Sequence, residues 1–385
     1  MKRTHFEADH EDYRNTVREF LAREVEPHYL QWEEDRLIDR SAYLAAGKSG
    51  ILGLGVPEQF GGSGVTDYRF RHVVAEEIAR TGSTSFGASL SLQDDIVIPY
   101  LLHLGTDAQK ERWLPRLASG ELIGAIAMTE PGAGSDLQGI RTTAVRVGDE
   151  WVINGQKTFI TNGIHSDLVI VVCRTDPNAG SKGFSLIVVE RDAPGFSRGR
   201  KLHKVGLAAQ DTAELVFEDV RVPAQNLLGT EGRGFVHLME NLPLERIGIA
   251  VSAITAARAA YEWTTAYAFE RKAFGNPIGD LQNTRFALAE MLTEIEVTES
   301  HVDRCVIALN AGELTAVDAS KAKWWASELQ KRVVDRGVQL HGGYGYMMEY
   351  PIGRAYVDAR IQTIYGGTTE IMKEIIGRDI AAGFR

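Results

Sequence analysis

The sequence predicts an α+β chain that runs helices, then sheet, then helices, and three observations carry that prediction. Apolar residues recur at helical spacing from about residue 8 to 119, the period drops to two from about 120 to 229, and long helical stretches return from about 230 onward. The corresponding regions are an α-helical N-terminal domain (1–119), a middle β-domain (120–229) and a C-terminal helical bundle (230–385).

In the first region Tyr13, Val17, Phe20, Leu21 and Val25, and later Val73, Val74 and Ile78, fall on helical faces. A Gly-rich loop, "VPEQFGGSG", interrupts them, and "LHLGTDAQKERWLPRLASG" reads as a short helix closing the region. The middle region holds short runs such as "LIGAIAMTE", "SDLVIVVCRT" and "GFSLIVVERD", rich in β-branched residues and bounded by Gly, Asn, Asp and Pro. "VGDEW" between two alternating runs is a hairpin signal. Few helices intervene, so an antiparallel barrel or sandwich is expected. The last region begins with "ERIGIAVSAITAARAAYEWTTAYAFERKAFG", apolar nearly all round at first and hence a buried helix. Two further long helices, each stopped by glycine, make a four-helix bundle the simplest assembly.

At 385 residues the chain exceeds one simple core. Its 44% hydrophobic and 24% charged content is that of a globular protein. A net charge of −10 with scattered acids argues against a nucleic-acid partner. Cys173 and Cys305 lie far apart in no metal-like spacing and read as buried, reduced thiols. The first residues are polar and carry both charge signs, and no apolar run approaches the roughly 18 residues of a membrane span. A cytoplasmic location is expected.

Four motifs could carry chemistry. In "IYGGTTEIM", two glycines open onto a helix that Thr368 or Thr369 can cap and whose first turn suits Glu370. Glycine admits close backbone approach and a helix start offers free N–H groups, yet nothing in Tyr365-Gly366-Gly367 exchanges a proton at neutral pH. "MTEPGAGSD" reads either as a tight strand-end turn or as an anion-binding nest, and it lacks the third glycine of a dinucleotide fingerprint. "ERKAFG" places two cations beside an aromatic, either as helix-end electrostatics or as a clamp on a phosphate or ring. "QLHGGYGYMMEYP" reads as a helix end packed by tyrosines, and His341 has no second histidine at ligand spacing, so no metal is expected. Serine-elbow, Walker and HExxH patterns are missing.

Taken together, these four segments resemble the acyl-CoA dehydrogenase family in order and spacing, over essentially the whole chain. The resemblance implies a helical domain, a β-domain and a C-terminal four-helix bundle, assembled as a homotetramer with FAD between β-domain and bundle. It also implies oxidation of an acyl-CoA, medium- to long-chain here, to its trans-2-enoyl-CoA, with electrons passed to electron-transfer flavoprotein. That chemistry needs a carboxylate to take the weakly acidic α-proton, an electron sink for the β-hydride, and donors for the thioester oxygen.

In many relatives the base is a glutamate where this sequence has Gly366, whose remaining contribution is a backbone N–H toward the thioester carbonyl. A branch resembling the long-chain and isovaleryl-CoA dehydrogenases places the acid on the first long bundle helix instead. Here that segment is "ENLPLERIGIA", and the matching acid is Glu245. Pro243 suits a helix first turn or a kink, and the bland reading of Glu245 is an ion pair with Arg246. Glu240 and Glu370 are weaker candidates.

The resemblance further implies that Ile126, Met128, Thr129, Gly134 and Ser135 line the flavin, with Phe159 and Thr161 beside its ring. Arg271, Phe274, Gln282, Gln339, Gly342 and Gly343 would hold a neighbouring subunit's FAD, while Thr368 and Glu370 return to their own subunit's. Ser135, Leu242, Arg246, Tyr365 and Gly367 would contact substrate. The alternatives are an isovaleryl-type enzyme, a same-fold flavin oxidase or monooxygenase, and an acyl-CoA-binding protein that has lost its base.

Overall fold

The computed structural model describes residues 3–384, and the order is helices, sheet, helices. The first region holds α1 (Ala8–Phe20), α2 (Tyr29–Asp35), α3 (Arg40–Lys48), α4 (Tyr68–Thr81), α5 (Thr84–Ser91), α6 (Ile98–Leu104) and α7 (Asp107–Ala118). Val17 and Phe20 of α1 pack in one core with Val73, Val74 and Ile78 of α4, as their spacing requires. Side-chain caps set the helix starts: Asp67 accepts from the Arg69 N–H, and Thr106 and Gln109 form a capping box on α7. Gly82, at φ +73°, ends α4 in the left-handed conformation that glycine allows. A wide helical turn, Leu92–Val97, carries α5 into α6.

The middle region is a mixed sheet of β1 (Gly124–Ala127), β2 (Thr143–Val147), β3 (Glu150–Thr161), β4 (Leu168–Arg174), β5 (Phe184–Glu190), β6 (Phe196–Lys201), β7 (Thr212–Pro223) and β8 (Leu227–Leu228). Its path is β6-β7-β3-β2-β4-β5-β8, with β1 against β4. The β2–β3 hairpin forms where "VGDEW" places it, pairing Val147 with Glu150. The sheet is not wholly antiparallel, however: β1 runs parallel to β4, from Gly124↔Leu168 to Ala127↔Val171. Periodicity gives no strand direction, and both runs are apolar on two faces, as parallel neighbours tend to be. Ile170 and Val172 of β4 pack in one core with Trp113 and Leu117 of α7, while Val169, Val171 and Cys173 pack with Trp151 and Phe217.

The last region comprises α8 (Gly234–Glu270), a small hairpin of β9 (Lys272–Ala273) and β10 (Asn276–Pro277), then α9 (Gln282–Asn310), α10 (Ala316–His341), α11 (Pro351–Asp358) and α12 (Thr369–Ala382). Ile247, Val251 and Ile254 of α8 meet Met291 and Ile295 of α9 and Leu329 and Val333 of α10 in one core, and α12 lies along α10. Because α8 starts at Gly234, Pro243 sits inside the helix and not in its first turn. Cys173 and Cys305 are free and buried. Among the described residues no helix is long and apolar enough to cross a membrane.

Candidate active site

A cavity of about 1340 Å³ is lined by α4, α5, β1, β3, α8 and the corner before α12. A single small-molecule site is roughly 300–1,000 Å³, so this one has room for more than one ligand. Along α8 the lining runs from Glu245 through Ile249, Ser252 and Thr255 to Ala256. At 1.5 Å per residue that is about 16 Å of helix beyond Glu245. Small residues face it from α4 and α5: Ala75, Ala79, Gly87 and Ala88.

Glu245 is 5% exposed, and Tyr100 Oη donates to its Oε1 at 3.0 Å. Burial pushes the Glu245 carboxyl up to about 7, and the Tyr100 hydrogen bond and the Arg246 charge offset only part of that. Arg246 is not spent on an ion pair with its neighbour: its Nε donates to the Gly366 carbonyl at 3.3 Å. Lys323 of α10, wholly buried, donates from Nζ to the Gly367 carbonyl at 2.7 Å, and burial pulls its amine down to about 8. Two cations therefore hold the carbonyls of the diglycine corner.

That corner needs glycine. Gly366 and Gly367 have φ of +63° and +99°, and a Cβ on Gly366 would sit 2.3 Å from Ile249 Cδ1. Thr368 caps α12 by accepting from the Ile371 N–H at 3.3 Å. Tyr365, Gly366, Gly367, Thr368, Leu242 and Arg246 all line the cavity. Glu370 does not: it is exposed on the first turn of α12, where a backbone N–H and the Thr368 hydroxyl hold its carboxyl below the usual range.

On the sheet side, Ile126, Met128, Thr129, Gly134, Ser135, Phe159 and Thr161 line the same cavity. "EPGA" closes as a tight turn, with Glu130 and Ala133 exchanging backbone hydrogen bonds at 2.9 and 3.1 Å. Those two N–H groups are thereby unavailable to an anion. A Cβ on Gly132 or Gly134 would meet nothing within 4 Å, so packing inside the chain does not call for these glycines. The segment is pinned by Lys157, whose Nζ donates to the Met128 carbonyl and to Glu130 Oε1, both at 2.9 Å. The Thr158 N–H donates to the Thr129 carbonyl at 2.9 Å, and Phe159 follows at φ +59°, on a bulge in β3 and 67% exposed. A non-glycine residue in that conformation is strained, and such residues cluster at functional sites.

Arg271, Gln339, Gly342 and Gly343 gather elsewhere, in a separate cleft of about 440 Å³ with Tyr267, His341 and Tyr344. His341 stacks on Tyr267 at 4.2 Å. Phe274, 94% exposed at the tip of the β9–β10 hairpin, and exposed Gln282 line neither cavity. Sequence reasoning missed Tyr100, Lys157 and Lys323, because each sits singly in a run that reads as core, strand or helix surface, and it missed Glu130 because the glycines of "MTEPGAGSD" drew the reading of that motif. Away from the cavity, His5, His72 and Asp303 lie within 4.8 Å of one another, and the Arg3 guanidinium hydrogen-bonds Asp303 and His72.

Family models for the acyl-CoA dehydrogenase N-terminal, middle and C-terminal domains match residues 7–121, 125–220 and 232–381. The chain belongs to the acyl-CoA dehydrogenase family. The long-chain specific acyl-CoA dehydrogenase of Mus musculus mitochondria is 51% identical over 379 residues, 98% of this chain and 87% of that protein. An acyl-CoA dehydrogenase from Geobacillus kaustophilus has a crystal structure similar at TM-score 0.96 and 50% identity, covering 98% of this chain and 100% of that one. A glutaryl-CoA dehydrogenase from Mycobacterium smegmatis in complex with FADH2 is similar at TM-score 0.91 and 30% identity, covering 98% and 96%. Acyl-CoA dehydrogenases are FAD-dependent enzymes, and this member has their three-domain fold: helical, mixed-sheet, helical.

Proposed function

We propose that this chain converts medium- to long-chain acyl-CoA to trans-2-enoyl-CoA with Glu245 as the base. The observation that carries this reading is a buried carboxylate on the cavity wall, raised to about 7, where Gly366 leaves the alternative position without one. A base near the working pH combines a usable ionised fraction with strong proton affinity. Glu245 takes the α-proton of the thioester. The backbone N–H of Gly366, on a corner braced by Arg246 and Lys323, meets the carbonyl oxygen as it gains enolate character. FAD, when bound, supplies the acceptor for the hydride that leaves the β-carbon.

The residues fit that cofactor. Ile126, Met128, Thr129, Gly134, Ser135, Phe159, Thr161 and Thr368 offer an aromatic face, hydroxyls and glycines that leave open space. Ser135, Leu242, Arg246, Tyr365 and Gly367 are left for the acyl-CoA. The length of cavity beyond Glu245 favours a long tail over a short branched one. The bare Phe274 and the cleft of Arg271, Gln339, Gly342 and Gly343 support a homotetramer in which these residues, with Gln282, serve a neighbour's FAD. Electron-transfer flavoprotein is the proposed acceptor. Domain boundaries are proposed at 119/120 and 229/230, in the connectors after Ala118 and before Gly234. Two free, buried thiols support a reducing compartment such as the cytoplasm.

Anaerobic palmitoyl-CoA should bleach the yellow holoenzyme. Glu245→Gln should keep the colour and lose bleaching by roughly 10²–10⁴-fold. Normal bleaching in that variant removes the assignment.

A further inference from the structure

Behind Glu245 lies a group that no part of the family resemblance invoked. Tyr100 is wholly buried on α6 and does not line the cavity, so it reaches Glu245 from the protein side. Its Oη donates to Oε1 at 3.0 Å, and among the described residues no hydrogen bond is made to Oε2. One helical turn away along the same seam, His103 Nδ1 lies 2.9 Å from Asn241 Oδ1. Asn241 is itself fixed by donating to the His237 carbonyl at 2.9 Å. Two rungs thus join α6 to α8.

We propose that Tyr100 is the positioning residue of the base, tying down Oε1 so that Oε2 is the oxygen presented to the substrate α-carbon. This rests on Glu245 being the base. A carboxylate with one oxygen fixed has lost its rotation about the last side-chain bond, and proton transfer needs that fixed reach. The other charged neighbours are committed elsewhere. Arg246 bonds the Gly366 carbonyl, Lys323 bonds the Gly367 carbonyl, and Arg71 and Asp95, which line the same cavity, bond each other at 3.0 and 3.1 Å. Among the described residues Tyr100 is therefore the one hydrogen-bond donor to the Glu245 carboxyl, and with the Arg246 charge it opposes the burial that disfavours the anion.

The test is Tyr100→Phe, which keeps the buried ring and removes only the hydroxyl. With palmitoyl-CoA and ferrocenium, the acid limb of kcat/KM against pH should move up by about one to two pH units, the size expected for a hydrogen bond to a charged group. The variant should therefore lose most at about pH 6 and recover at about pH 9. An infrared titration of the substrate-free holoenzyme, following the carboxyl band that Glu245→Gln deletes, should show the same displacement. A uniformly lower rate with limb and band midpoint unmoved overturns the role of Tyr100 and leaves the base standing. Retained turnover in Glu245→Gln instead overturns the reading beneath it, so the two failures are distinguishable.

Discussion

Replacing Glu245 by glutamine should stabilise the protein in mild alkali and do nothing in acid, even as it removes activity. Burial lifts this carboxyl from 4.5 to about 7 in the folded state, so the native protein holds the proton more tightly than the unfolded chain does. The favourable contribution of the protonated form is complete below about pH 4.5 and is lost as pH rises through about 7, by about 3 kcal/mol in all. Glutamine keeps an oxygen for the Tyr100 hydroxyl and never ionises, so it escapes that loss. Calorimetric unfolding of the holoenzyme at about pH 5 and about pH 8.5 should show equal midpoints in acid and a variant several degrees higher in alkali. Equal midpoints at both pH values, or a less stable variant in alkali, would refute the idea that an ionised Glu245 is held at a cost in this cavity.

Gly366→Ala should lower kcat/KM about tenfold or more: its φ of +63° costs an alanine roughly 1–2 kcal/mol, and its methyl meets Ile249 Cδ1. Adding Ile249→Ala should recover the steric part only, and full recovery would show that the backbone conformation is unimportant. Lys323→Met removes the buried partner of the Gly367 carbonyl, a loss of about 1–3 kcal/mol. It should reduce kcat at unchanged flavin content, and wild-type kcat would sink the bracing role. Ala79→Leu, on the cavity wall of α4, should cut turnover of palmitoyl-CoA by about tenfold relative to butyryl-CoA. An unchanged ratio would place the acyl tail elsewhere.

The sequence was most legible where local chemistry determines structure. The cap at Thr368, the hairpin at Gly148 and the apolar faces of α1 and α4 follow from spacing and residue type alone. Of the four motifs, "MTEPGAGSD" and "IYGGTTEIM" supplied cavity-lining positions, while "ERKAFG" and "QLHGGYGYMMEYP" supplied residues outside that cavity. Strand direction was not legible, because parallel β1 and β4 show the same apolar composition that an antiparallel pair can carry. Glu370 was legible as a helix-start acid, but that local signature is the same whether the side chain faces a ligand or solvent. Tyr100 was invisible for the opposite reason: in "DDIVIPYLLHLG" a lone tyrosine reads as core, and its partner lies 145 residues away.

The α6–α8 seam has one further consequence. The two polar rungs of that seam can part without unwinding either helix, so gentle heating would leave far-ultraviolet dichroism intact. The enzyme's pH optimum would drift upward first. In stored or engineered material, an alkaline creep in that optimum is thus an early warning of domain undocking, readable before any loss of colour or fold.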